Sequence, residues 1–149
     1  MGMFNSFDIS ASGLTAQRLR MDVISNNIAN VNTTKTLEGG PYMRQRVIFE
    51  PRGEKLQFLI PFAFEQNKRI NQFQGVKVTA VTTDPTPPKL VYDPGNPDAN
   101  KDGYVAMPNV NIVKEMIDMI SATRAYEANV TAIDSAKTMA SKALDIGKV

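Results

Sequence analysis

The chain has no cysteine and no histidine in its 149 residues. The first absence excludes a disulfide framework, a thiolate zinc site and a cysteine nucleophile. The second removes the commonest general base and metal ligand. Any enzymatic activity would have to run on carboxylates, lysines, serines or tyrosines. Long apolar runs are also missing: no stretch reaches the roughly 18 residues that a membrane-spanning helix needs. The first 32 residues have no basic start followed by an apolar run, and Asp8 interrupts them early. No cleaved secretory signal is therefore expected. Met1, Gly2 and Ser6 fit the short myristoylation pattern, but the helix-like sequence that follows accounts for them better. The net charge of +2 is too small to argue for a nucleic-acid partner.

Proline is absent from the first 40 residues and the last 41, and all nine prolines lie from Pro41 to Pro108. Six of the nine glycines fall between positions 36 and 108. This punctuation predicts a helical start (1–35), a strand-and-turn middle (36–108) and a helical end (109–149). The expected class is α+β: two long terminal helices paired as an antiparallel coiled-coil stem, with a small β-rich middle module. Hydrophobic and charged residues, at 42% and 21%, are in the globular range.

The spacing predicts a first helix over 5–30. Phe7, Leu14, Met21 and Ile28 recur every seven residues, with Ile24 and Val31 at companion positions. Gly13 interrupts this pattern at a cost of about 1 kcal/mol relative to alanine. The second helix is predicted over 112–145. Ile112, Met116, Met119, Thr123, Tyr126, Val130, Ile133, Lys137, Ala140 and Leu144 follow alternating spacings of four and three. Asn109 or Asn111 can cap its start and Gly147 its end. At 1.5 Å per residue it is about 50 Å long. A helix of that length with one apolar stripe needs a partner along its length, and the other terminal helix is the natural one. Residues 109–149 carry five basic and five acidic side chains, which suits a protein partner better than a polyanion.

Strands are expected over 42–49, 56–64, 76–83, 90–92 and 104–106. In 76–81 the alternation puts valines on one side and lysine and threonine on the other. The segments 84–88 and 93–97 read as turns. Asp98, Asn100, Asp102 and Gly103 resemble the opening of a calcium loop, but Asn109 stands where that loop requires a bidentate glutamate. The reading is an ordinary polar turn. Asp84, Asp93, Asp98 and Asp102 each sit beside proline, glycine or asparagine, where aspartate bonds its own backbone, so they are not read as a catalytic pair.

Asn26, Asn27, Asn30 and Asn32 crowd seven residues, which is poor for a helix interior. Asn30 and Asn32 suit a helix end. Asn26 and Asn27 are either surface filler or amides that bond neighbouring backbones at a packed interface, and residue type alone leaves both open. Arg124, Tyr126, Glu127 and Asn129 crowd one turn of the second helix. Arg124 and Glu127 have the spacing of a surface ion pair.

These same stretches resemble the flagellar axial protein family of rod, hook and hook-associated proteins. The N-terminal motif runs from Ser12 to Thr33 and ends in the asparagine-rich signature. The C-terminal motif comprises 109–113, Glu115-Met116 and 119–129, with Met139 beyond. A narrower similarity, to the proximal basal-body rod protein C type, lies in 36–42, Arg44, 91–95, 97–100 and 103–111. About two-thirds of the chain is covered, and 50–73 matches nothing in the family. Asn96 stands where many relatives have histidine. Lys35-Thr36 replaces the Pro-Gly-Tyr of hook-type members, which favours rod over hook.

The resemblance implies a structural, non-enzymatic subunit that polymerises into a helical tube, the proximal rod, and transmits torque for motility. It implies export through the flagellar type III apparatus without a cleaved signal. The implied partners are other rod proteins, the membrane-ring/rod adaptor and further copies of the chain. Nucleic acid, small-molecule substrates and membrane embedding are not implied, and no catalytic residue, cofactor or metal site is expected. Expected assembly residues are Met21, Ile24, Ile28, Met119, Tyr126, Val130 and Ile133 on the helix seam. Asn26, Asn27, Asn30, Arg124, Glu127 and Asn129 are expected to make contacts between helices or subunits. Val130→Asp is expected to abolish incorporation through a buried charge, and 93–103 is expected to be a subunit contact loop. The competing readings are a soluble coiled-coil adaptor and a carboxylate-dependent hydrolase.

Overall fold

The computed structural model describes residues 3–37, 39–52 and 74–147. The strand expected over 56–64 lies outside the described residues, as does most of the unmatched stretch 50–73.

Helix α1 spans Met3–Ala29 and helix α2 spans Ile112–Ile146. Between them lie β1 (Gln45–Pro51), β2 (Val76–Thr83), β3 (Lys89–Tyr92) and β4 (Tyr104–Met107). This is the α+β arrangement of two terminal helices with a strand-built middle. The strands form two separate antiparallel ribbons, β1–β2 and β3–β4.

The helix ends follow from side-chain chemistry. The Asn111 side chain accepts hydrogen bonds from the amides of Val113 and Lys114, satisfying two donors that the first turn leaves free. Of the two asparagines expected as caps, Asn111 is therefore the one used. At the other end the Gly147 amide donates to Ala143 O. Helix α1 ends where Asn30 Nδ2 donates to Asn26 O (2.9 Å) and the chain turns through Val31 and Thr33.

The helices run side by side in opposite directions. Gly13 lies against Asn129, Met21 meets Thr123, Arg20 meets Asp118 and Asn27 meets Glu115. The most deeply covered positions are Ser12, Ala16, Val23, Ile24 and Asn27 on α1, and Glu115, Ala122 and Ala136 on α2. The buried line of α2 is therefore one position away from the expected stripe. Met119, Tyr126, Ile133 and Ala140 remain half-covered on its edge. Thr123 is half-buried, but Ile112, Met116, Val130, Lys137 and Leu144 are exposed. The physical reason is close approach. A Cβ on Gly13 would sit 2.9 Å from Asn129 Oδ1, so the helices are nearest where their side chains are smallest. Gly13, a weak point for an isolated helix, is the position that admits Asn129.

Ribbon β1–β2 lies on α1. Residues of β2 alternate between half-buried and exposed throughout: Val76, Val78 and Ala80 turn inward, Lys77 and Thr79 outward. Val81 also faces outward, so the valines do not share one side as expected; it pairs with Val47 of β1. A register shift at Ile48/Phe49 leaves Phe49 and Glu50 both half-covered. Ser12 joins helix to ribbon: its Oγ donates to Ile9 O (2.6 Å) and accepts from the Val76 amide (3.0 Å).

Among the described residues, no helix and neither strand of the first ribbon runs close along the backbone of ribbon β3–β4, although Val105 of β4 is 1% exposed. It is held at its base by the turns. Asn109 Nδ2 donates to Thr86 O (3.0 Å), and Thr34 Oγ1 donates to Asp98 (2.7 Å). Tyr92 and Tyr104 meet edge to face, with ring centroids 5.3 Å apart.

Gly75 adopts φ +87° against the Ser12 side chain, and an added Cβ has no room there. Gly39 has the same φ in open space. Gly39→Ala should cost about 1–2 kcal/mol from the left-handed backbone alone. Gly75→Ala should cost clearly more and separate α1 from the ribbon. Thermal unfolding of the two variants checks the ranking, and equal losses would contradict the contact.

Candidate functional site: a polar clasp between the helices and the first ribbon

Glu115 has no exposed surface and Asn27 is 1% exposed, yet neither is apolar. Buried groups of this kind persist only when fully hydrogen-bonded. Glu115 stands in the first turn of α2, where a carboxylate also meets the positive end of the helix dipole. Its Oε1 accepts from Arg44 Nε at 2.7 Å and its Oε2 from Asn27 Nδ2 at 3.0 Å.

Asn27 uses its whole bonding capacity. Its Oδ1 accepts from the Gln45 amide (2.9 Å) and the Tyr42 hydroxyl (2.9 Å). Its Nδ2 donates to Gln45 O (2.9 Å) as well as to Glu115. One helical asparagine thereby satisfies both backbone groups at the start of β1, as a neighbouring strand would. Burial, and secondarily the charge on Glu115, push the Tyr42 phenol above its usual 10.0, so it stays protonated and donates.

Arg44 is the centre of the charge arrangement. Its guanidinium lies 3.5 Å from Asp84, 2.7 Å from Glu115 and 3.7 Å from Asp118. Arg20 of α1 holds the other oxygen of Asp118 at 3.1 Å, and Arg46 lies 3.7 Å from Asp84. Three arginines thus face three carboxylates. The Arg44 backbone is fixed as well: its amide donates to Asn109 Oδ1 (2.9 Å), and its carbonyl accepts from the Asp84 amide (2.7 Å). Thr86 donates to Asp84 from hydroxyl (2.6 Å) and amide (3.2 Å). These bonds, with the nearby arginines, hold the Asp84 carboxyl below its ordinary value. An open cleft of about 290 Å³ borders the group, floored by Val23 and Ile24.

The residues expected from sequence fall into three groups. Asn26, Asn27 and Asn30 belong to the clasp and its helix end: Asn26 donates to Tyr42 Oη (3.3 Å), and Asn30 Oδ1 accepts from Thr33 (3.2 Å). Asn27 is thus bonded to a neighbouring backbone, whereas Asn26 is exposed. Met21, Ile24, Ile28, Met119, Tyr126, Asn129 and Ile133 lie between the helices or along their margin, with Ile24 deepest at 5%. Arg124, Glu127 and Val130 lie on the outside. Among the described residues Arg124 and Glu127 do not pair with each other, and Val130 is 37% exposed, so a charge there is not buried within the single chain. Sequence reasoning missed Arg44, Glu115, Asp118, Tyr42 and Asn109 as a group. A signal was present: Glu115, Ala122, Asn129 and Ala136 recur every seven residues, a second stripe of small and polar residues beside the apolar one.

The turn expected over 93–97 extends to Gly103, and the Asp93 amide donates to Gly103 O (2.9 Å). The Asp98 carboxylate accepts from the Thr34 hydroxyl, and the Asp98 amide donates to Asn96 Oδ1 (3.0 Å).

Arg44→Met should cost about 3–5 kcal/mol, because it strands a buried carboxylate. Adding Glu115→Leu should restore most of that loss, as measured by urea denaturation. Asp84 predicts an acid limb. Because its folded pKa is depressed, its contribution is complete above the ordinary value of 3.8 and is lost as pH falls through the lower folded value. Parent and Asp84→Asn should therefore differ at neutral pH and converge in acid.

Comparison with known proteins shows the family of the chain. Residues 7–35 match the family model for flagella basal body rod proteins, and residues 101–146 match that for the C-terminal part of flagellar basal body rod FlgEFG proteins. The flagellar basal-body rod protein FlgC of Borreliella burgdorferi is 54% identical, over 98% of each chain. That of Bacillus subtilis is 47% identical over 99% of this chain and 100% of its own. That of Salmonella typhimurium is 38% identical with the same coverage. The matched families are structural, and none is catalytic. The chain belongs to the flagellar basal-body rod protein FlgC family and is a structural rod subunit of the flagellar basal body.

Proposed function

We propose that this subunit polymerises into the helical tube of the proximal rod and there transmits torque for motility. The observation that carries this reading is an apolar helix face that stays more than half exposed. Val113, Met116, Ile117 and Ile120 of α2 are 66%, 54%, 63% and 54% exposed, on the side turned away from α1. With Glu115 and Ala122 buried on the other side, this third of the helix is built to be enclosed all round. An exposed patch of this kind marks an interaction surface. Contacts that repeat head to tail without closing build a tube.

In this reading the terminal helices pair as a coiled-coil stem along the inner tube. Segments 1–35 and 109–149 are the rod segments, and 36–108 is a module that projects outward. The neighbours are other rod proteins, the membrane-ring/rod adaptor and further copies of the chain. The subunit reaches the rod through the flagellar export apparatus without a cleaved signal. No described helix is long and apolar enough to cross a membrane. Arg124, Glu127 and Val130, exposed on the outer side of α2, serve contacts between subunits. Turn 93–103 serves as a further contact.

Deleting the gene should leave membrane rings without a rod in electron micrographs, with motility restored by the wild-type copy. Intact rods and normal swimming in the deletion strain would sink the proposal. Val130→Asp gives the finer test. The purified variant should keep its helix content and melting temperature, because Val130 is exposed, while rod assembly and swimming are lost. Normal motility would remove Val130 from the interface.

A further inference from the structure

We propose that the Asn27–Arg44–Glu115 clasp is a register lock: it sets the axial position of α1 against α2, which the apolar contact between them leaves open. This inference concerns the single folded chain and stands apart from the rod reading.

The apolar side of α2 is close to periodic. Met119, Tyr126, Ile133 and Ala140 recur every seven residues, and so do Ala122, Asn129 and Ala136. A slide of α1 by seven residues replaces each of these with the next in its series. The only apolar residues of α2 that are fully covered are alanines, and the one notch on the seam is Gly13, which admits Asn129. Apart from that notch, a seam of this kind holds helices together with little to choose where they stop.

The clasp does not repeat. Seven residues beyond Glu115 is Ala122, which can take no hydrogen bond from Asn27 and no charge from Arg44. A slide in that direction strands a fully buried carboxylate and takes from the Asn27 amide the acceptor that Glu115 provides. The penalty falls on every register but one. Arg20 on Asp118 (3.1 Å) adds a second contact that names the same register. A polar group that fixes register at some expense of stability is the best-attested use of buried charge. The clasp also ties the chosen register to the ribbon, because Asn27 holds the backbone of Gln45.

The absence of cysteine allows a direct test in the full chain. Thr123 Oγ1 lies 3.6 Å from Met21 Sδ, so Met21→Cys with Thr123→Cys reports the native register under mild oxidation. Met21→Cys with Met116→Cys, or with Val130→Cys, reports a slide of seven residues in either direction. With the clasp intact, only the first pair should link within one chain. In the Arg44→Met/Glu115→Leu background, helix content by circular dichroism should persist. The native link should then lose its exclusivity, with an off-register pair rising to a comparable yield. Should that background fail to fold, Asn27→Ala, which removes the α1 side of the clasp, decides the matter by the same off-register links. Exclusive native linking in a folded clasp-deficient chain overturns the proposal.

Discussion

A carboxylate with no exposed surface cannot be left alone, and most of the fold near the base of the stem can be read as the answer to Glu115. Arg44 supplies the opposite charge and Asn27 the second donor. To bring them there, β1 must begin beside the end of α1, Tyr42 must turn its hydroxyl inward, and Asn109 must hold the Arg44 amide. One buried charge thus couples the two helices, the first ribbon and the turn after β2. An apolar residue at 115 could be covered in many ways. A charge accepts only a geometry that returns nearly all of its lost hydration.

Along the stem the logic is different. Gly13, Ala16, Ala122 and Ala136 let the helices approach closely, and Asn129 fills the space that Gly13 leaves. Large apolar side chains then lie beside the contact line instead of on it. Met119, Tyr126 and Ile133 are half-covered, and Val113, Met116, Ile117 and Ile120 keep more than half of their surface exposed.

Much of this was legible in the residues. Proline punctuation separated helices from strands, and β2 and the start of α2 fall where alternation and the Asn111 cap put them. Periodicity also identified which residues of α2 are apolar. It misjudged which face is innermost, because alanine and glycine carry almost no weight in a hydrophobic count although they decide close approach. The clasp was harder to foresee. Its members lie at 27, 42, 44, 84, 109 and 115, and no local pattern relates them. Asn26 and Asn27 stood out together, as amides within the helix pattern, and residue type did not separate the buried one from the exposed one. Its partners are chosen by tertiary proximity, which spacing does not encode.

The standing apart of ribbon β3–β4 has a mechanical consequence. Among the described residues no helix or first-ribbon strand runs along its backbone, and it is anchored by the buried Val105 and by hydrogen bonds from Asn109 and Thr34. Its coupling to the helices therefore runs through loops and one buried valine, and not through a packed face. A small tilt of the arm about that attachment leaves the contact line between the helices unchanged.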